Sequence, residues 1–198
     1  KKYDVLFYGW YEGSNRRKVY LEKIGSICNL KVIDNLFGEE LFEEMLNRVQ
    51  EVEDGKNLGE FASSTTYWLY DDETDILIGA SNLRHYLTEE GLKLWGHIGY
   101  GIRPSKRRKG YATKLLELTI KEAKDKNIKR VLLGAYTGNV GSWKVIEKCG
   151  GKFENTVIEE ETGLPVKRYW ISLKKKFANV KHTLNIIPFF IVKSIDKQ

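Results

Sequence analysis

Alternating strand-like and helix-like segments make this an α/β (α+β) sequence. Runs rich in β-branched and aromatic residues are separated, along 198 residues, by runs whose apolar positions recur at helical spacing. Two polar interruptions, Asp71-Asp72-Glu73-Thr74 and Glu161-Thr162-Gly163-Leu164-Pro165, each divide two strand-like runs and therefore read as hairpins. With 41% apolar and 12% aromatic residues the chain can bury one sizeable core, so residues 1–198 are read as a single domain.

The elements follow in order. Residues 3–10 read as a strand and 15–27 as a helix. A firmer helix spans 39–52, with Leu41, Met45, Val49 and Val52 near one face and Asp54-Gly55 at its stop. Strands are expected at 64–70 and 76–83, on either side of the first hairpin turn, and again at 94–102. Beyond Gly110 the positions Ala112, Leu115, Leu116, Ile120 and Ala123 mark the buried face of a helix that runs to about 126. A buried strand at 131–136 and a helix at 139–149, closed by Gly150-Gly151, come next. Residues 152–159 and 166–173 form the second hairpin. In the tail, the run Ile186 to Val192 is shorter than the ~18 apolar residues of a membrane span. It suits covering a sheet edge or joining a homodimer.

Composition removes several function classes. Cys28 and Cys149 offer no disulfide framework, and His85, His97 and His182 are too scattered for a zinc site. The expectation is a metal-free, soluble, cytoplasmic protein with no signal or membrane segment. The formal charge of +6 is modest and densest in one loop, which suggests an anionic small ligand more readily than a long nucleic acid.

That loop lies within GYGIRPSKRRKGYATKLL, residues 99–116. A strand-like run meets a cationic turn that opens at Gly110 into an amphipathic helix, whose first turn presents unpaired N–H groups and the positive end of the helix dipole. Gly110 lets a ligand approach the backbone, and Arg103, Lys106, Arg107, Arg108 and Lys109 add Coulomb attraction. A pyrophosphate fits. The segment is neither a Walker loop, for want of Gly-Lys-Ser/Thr, nor a complete dinucleotide fingerprint. Taken alone, the basic run is equally a solvated face, a localisation signal or a nucleic-acid patch.

The run Arg107-Arg108-Lys109-Gly110-Tyr111-Ala112 resembles the Arg/Gln-x-x-Gly-x-Gly/Ala signature of the GNAT N-acetyltransferase superfamily. The resemblance extends upstream to Ile102-Arg103-Pro104 and downstream to Asn139-Val140-Gly141-Ser142 and Ile146-Glu147-Lys148-Cys149-Gly150. It covers about 37–173 and is closest to a group of predicted bacterial acetyltransferases, with SSTTYWLYDD, LRHYL and KRYWI as further matching segments. It implies a mixed, mostly antiparallel central sheet of about six to seven strands flanked by helices. It also implies acetyl-CoA as co-substrate, held by Arg103, Arg107, Arg108, Lys109, Gly110, Tyr111, Ala112 and Thr113 at the pyrophosphate, and by Ile102, Asn139 and Ser142 along the pantetheine arm. The N–H of Ile102 is the group that the resemblance sets against the thioester.

The chemistry asks for two proton transfers. An acceptor amine with pKa about 10.4 must lose roughly 4.6 kcal/mol worth of protonation to attack at pH 7, so a base is needed. His97 has the right intrinsic pKa and, by the resemblance, the right neighbourhood; a histidine satisfying structural hydrogen bonds reads equally well. Gly99 and Gly101, on either side of Tyr100, suggest a bulge or a close ligand approach, or a bend that only accommodates aromatic side chains. Many GNAT enzymes protonate the leaving thiolate with a tyrosine seven positions after the asparagine. Here that position is Ile146, and Tyr136 and Ser142 are the nearest substitutes. Asn139 and Ser142 also read as helix caps. Tyr67, Trp68, Tyr70, Tyr86, Trp95 and Tyr100, with Arg84 and His85, are candidates for an acceptor pocket or for core. Arg84 suits a substrate carboxylate or a surface pair with Glu89 or Glu90.

The leading expectation is direct transfer of acetyl from acetyl-CoA to an amine-bearing small molecule or peptide in a ternary complex. A catalytically weak acyl-CoA-binding module and, behind it, a nucleic-acid-binding domain remain as alternatives.

Overall fold

The computed structural model describes residues 47–71, 76–173 and 186–188. The strand read at 3–10, the helix read at 15–27, most of the helix read at 39–52, Cys28 and His182 fall outside these residues. The elements are α1 (47–53), β1 (Ser64–Asp71), β2 (Ile76–Arg84), β3 (Ile98–Ile102), α2 (Tyr111–Asp125), β4 (Arg130–Tyr136), α3 (Val140–Lys148), β5 (Lys152–Ile158), β6 (Pro165–Ser172) and β7 (Ile186–Pro188). The α/β fold with antiparallel sheets expected from the sequence is present. Its sheet, however, is divided into halves of four strands, in the order β3-β2-β1-β7, and three, in the order β4-β6-β5. All paired strands are antiparallel. In the tail, Ile186–Pro188 pairs with the outer edge of β1, Pro188 opposite Tyr67, which is a place where a strand proline is tolerated.

The strand read at 94–102 is shorter than expected and begins at Ile98. Gly91–Trp95 is a wide helical turn instead, closed by a bond from the N–H of Gly96 to the carbonyl of Gly91 at 2.7 Å. Packing overrides the local strand preference of Leu94 and Trp95. A Cβ on Gly134 would overlap the Leu94 carbonyl, and one on Gly96, whose φ is +72°, would overlap the Leu132 carbonyl. Two glycines thus let the turn sit directly on β4.

Helix α2 spans the divided sheet. Its Leu116, Ile120 and Ala123 join Val131, Leu133 and Ala135 of β4, Ile146 and Cys149, and Tyr169 and Ile171 of β6 in the larger core cluster. Its Leu115 joins Leu69, Ile78 and Ile102 in a second. Tyr100 packs against both clusters. Each fully buried aliphatic side chain contributes roughly 1.5–3 kcal/mol, so the helix holds the halves together by burial where backbone pairing does not. Within the core, the Ser81 and Thr119 hydroxyls meet at 2.6 Å, and Thr119 donates to the Leu115 carbonyl at 2.8 Å, so neither is left unsatisfied.

Candidate active site

The seam between β3 and β4 is closed at one end and open at the other. At the closed end Gly96 bridges Leu133, and the N–H of His97 donates to the Leu132 carbonyl at 2.6 Å. No further ladder joins the two strands among the described residues. On the far side of β3, the N–H of Arg84 bonds the His97 carbonyl and the N–H of Arg103 bonds the Ile78 carbonyl. Together with the β2–β3 register, these two bonds direct the backbone groups of Gly99, Gly101 and Arg103 toward β2. The backbone N–H and C=O groups of Tyr100 and Ile102 therefore face the seam. Arg107 Nε reaches back to the Ile102 carbonyl at 2.9 Å, so the N–H groups of Tyr100 and Ile102 are the donors along that edge.

Beyond Ile102 the chain makes a tight turn at Pro104–Lys106 and enters α2 through Arg108, φ +64°, and Gly110, φ +84°. Alternation of left- and right-handed residues curls successive N–H groups toward one concavity. The first helical bond runs from the N–H of Lys114 to the Gly110 carbonyl at 3.1 Å, so the N–H groups of Tyr111, Ala112 and Thr113 precede the helical ladder. No side chain caps them, and no acidic residue occupies the first turn. A Cβ on Gly110 would meet nothing within 4 Å. The cations divide by job. Arg107 and Arg103, the latter donating to the Leu77 carbonyl at 3.1 Å, brace the loop, while Arg108 and Lys109 are exposed. One cation was hidden in the sequence. The ammonium of Lys114 is buried and has no partner among the described residues, and burial lowers its pKa from the usual lysine range. The three N–H groups that precede the helical ladder suit an anionic phosphate, and Lys114, on the same helix start, carries a further positive charge.

The start of α3 supplies the next piece. Asn139 caps it, its side chain accepting from the N–H of Ser142 at 3.2 Å. From β3 the Tyr100 hydroxyl reaches the same turn, 3.0 Å from the Ser142 carbonyl and 3.1 Å from its hydroxyl. Burial raises the Tyr100 pKa above the ordinary phenol value. Ile146 is fully enclosed in the core.

His97 is buried at the closed end of the seam. Its Nδ1 accepts from the N–H of Leu132 at 3.0 Å, which puts the ring proton of the neutral form on Nε2. Burial first, then the Arg84 and Arg130 charges, push its pKa down to about 4. With no free lone pair, His97 ties β3 to β4 in this geometry. It also precedes β3, which begins at Ile98, rather than lying within the strand read at 94–102. Arg84 is likewise buried rather than superficial, and its guanidinium donates to the Gly96 carbonyl.

On the other face of β4, Tyr136 donates to Glu159 at 2.6 Å, and the Thr162 hydroxyl donates to the same carboxylate oxygen. The Trp95 ring meets Tyr136 edge-on at 5.2 Å, and the buried Trp95 Nε1 has no partner among the described residues. Glu159 is buried. A buried carboxylate supplied by two hydroxyls is an arrangement able to accept a proton or hold an ammonium group.

The GNAT acetyltransferase domain model matches residues 36–152 of this chain. The chain belongs to the GNAT acetyltransferase family. No curated protein matches it. Among solved structures, a mutant form of the spermidine N-acetyltransferase SpeG from Vibrio cholerae is similar at 20% identity. The match covers 68% of this chain and 75% of that one, with a TM-score of 0.51. The ribosomal-protein-S5-alanine acetyltransferase from Vibrio fischeri is similar at 18% identity, over 68% of this chain and 72% of that one, with a TM-score of 0.54. At this distance the two share the fold.

For this GNAT chain the fold brings Ile102, the turn through Thr113, Asn139 and Ser142 to the open end of the seam, and it sets His97 at the closed end. Lys114 and Glu159 were not singled out in the sequence, and Tyr100 was read there only as a candidate for an acceptor pocket or for core. Each shows itself only through a partner, or a lack of one, created by folding. The sole sequence signal was a helix-start lysine just past the basic run. No group of His, Cys, Asp or Glu among the described residues is placed to hold a metal, and none of the described helices is long and apolar enough to cross a membrane.

Proposed function

We propose that this chain is an acetyl-CoA-dependent N-acetyltransferase that passes the acetyl group directly to a primary amine in a ternary complex. The observation that carries the reading is the half-open seam, with the Ile102 N–H facing the gap and the same strand leading straight into the Gly110 cradle. Acetyl-CoA would lie with its pyrophosphate on the N–H groups of Tyr111, Ala112 and Thr113, supported by Arg108, Lys109 and Lys114. Its pantetheine arm would enter between β3 and β4, where the Ile102 N–H pairs with it as a third strand would. Asn139 fixes the α3 turn against that arm. Ser142 stands in for the tyrosine that Ile146 replaces, giving a hydrogen bond to the departing thiolate.

Direct transfer is supported by Cys149. Its thiol is buried, its pKa is pushed up to about 12 by burial, and its nearest hydrogen-bond acceptor is the Thr113 carbonyl at 3.8 Å. Such a group remains a thiol, and an acetyl-cysteine intermediate needs a thiolate. For the proton on the acceptor amine, Glu159 with Tyr136 is the candidate base, because the ring lone pair of neutral His97 already accepts from the Leu132 N–H. The acceptor is a cationic amine-bearing small molecule or peptide, and the turn over Trp95 gives it a face of its own, opposite the helices.

The test is an acceptor screen read as CoA release, beginning with polyamines and peptide α-amines, the kinds of acceptor named for the two structural relatives. Turnover with at least one amine is expected, and Glu159→Gln should lower that turnover about a hundredfold while CoA affinity holds. Enclosure of Ile146 favours one second reading, an acyl-CoA-binding module without catalysis. Tight CoA binding with no CoA release for any amine would select it.

A further inference from the structure

Tyr100 has two acceptors within reach of one proton. Its hydroxyl lies 3.0 Å from the Ser142 carbonyl and 3.1 Å from the Ser142 hydroxyl. A carbonyl only accepts, whereas a serine hydroxyl both donates and accepts. Two arrangements follow. In one, the phenol donates to the carbonyl and the serine proton rests on the phenol oxygen. In the other, the phenol turns to the serine oxygen, and the serine proton is released toward whatever lies beyond it. The ring itself cannot follow such a change, since it is clamped between the two core clusters beside Leu116 and Leu115. Only the hydroxyl rotor moves.

We infer that Tyr100 is a positioning residue for the leaving group: its hydroxyl turns the Ser142 proton toward the CoA sulfur as charge gathers there. The inference rests on the proposed acetyl-CoA site and deepens it. When the C–S bond of the tetrahedral adduct breaks, the electron pair goes to sulfur. Ser142 donates a hydrogen bond to that sulfur, and Tyr100 donates one to Ser142. No proton changes owner within the pair, because burial keeps the phenol far less acidic than a thiol. Cys149, the titratable group whose charge would act on Tyr100, stays a neutral thiol. With Ile146 at the tyrosine position of α3, the chain thereby keeps a tyrosine's donor capacity, delivered from β3 through a serine.

The experiment needs no acceptor. CoA bound to the wild-type protein is titrated by the ultraviolet absorbance of its thiolate, alongside Tyr100→Phe and Ser142→Ala. The wild type should hold the bound thiol below the ordinary value of about 8.5, and Tyr100→Phe should raise it by about 0.5 to 1 unit with CoA affinity unchanged. Ser142→Ala should raise it at least as far, and the double variant should add nothing. A 3-fluorotyrosine placed at position 100 keeps ring, packing and hydroxyl, and its more acidic phenol should lower the thiol value further. Equal titration in wild type, Tyr100→Phe and the fluorinated protein, with CoA bound in all, would overturn the inference and leave the acetyl-CoA site standing. Absence of CoA binding to the wild type would overturn both.

Discussion

The two ends of the β3–β4 seam are built from the same kinds of residue for opposite purposes. At the closed end, Gly96 and Gly134 remove side chains so that protein backbone can approach protein backbone, and His97 satisfies the N–H of Leu132. At the open end, Gly110 removes a side chain where no protein atom follows, and helix-start N–H groups precede the helical ladder. The glycines of the closed end face protein backbone, whereas Gly110 faces open space at a helix start whose N–H groups precede the ladder. The residue that looked catalytic sits where the seam is sewn, and the residue that looked like core filling reaches the place where it parts.

Substitutions along the seam should break in correspondingly different ways. The largest effect belongs to Gly96→Ala, where both the positive φ and the Leu132 carbonyl oppose a methyl group. A loss of about 4 kcal/mol or more in denaturant unfolding is expected. His97→Gln comes next and carries a pH signature. The folded pKa of about 4 lies below the ordinary 6.5, so the unfolded chain binds more protons between those values. Stability from this group is therefore complete above pH 6.5 and is lost as pH falls toward 4, on the order of 3 kcal/mol in all. Denaturant midpoints should lose that part of their pH slope in His97→Gln, and an unchanged slope would contradict the closed-end role.

At the open end Gly110→Val should cost folding only about 1–2 kcal/mol, through its left-handed backbone, yet weaken acetyl-CoA binding by roughly a hundredfold. Calorimetry and thermal unfolding on the same sample separate the two effects. The smallest is Asn139→Ala, about 1 kcal/mol of stability from the lost cap, measured by unfolding, with a few-fold weaker CoA binding.

How much of this was legible before folding depends on the span of the interaction. The loop from Arg103 to Thr113 could be read because its evidence is local: a helical repeat, a glycine at the helix start and adjacent cations. The Asn139 cap was legible for the same reason, its partner Ser142 being three residues away. His97 stayed open in the sequence between a base and a structural histidine because its partner Leu132 lies 35 residues on, and a titratable ring looks identical whether free or bonded. The Tyr100–Ser142 contact spans 42 residues and Tyr136–Glu159 spans 23, and no periodicity reports such pairs. The stretch Leu94-Trp95 carries strand-forming side chains, yet it folds as a turn because the adjacent Gly96 and the distant Gly134 let it sit on β4.

The open end of the seam is proposed to take one acetyl-CoA, and isothermal titration of the wild-type protein with acetyl-CoA at moderate salt checks this. A single saturable site is predicted, lost in Gly110→Val and retained in His97→Gln. No heat of binding, or a steeply salt-dependent interaction unaffected at Gly110, would contradict it.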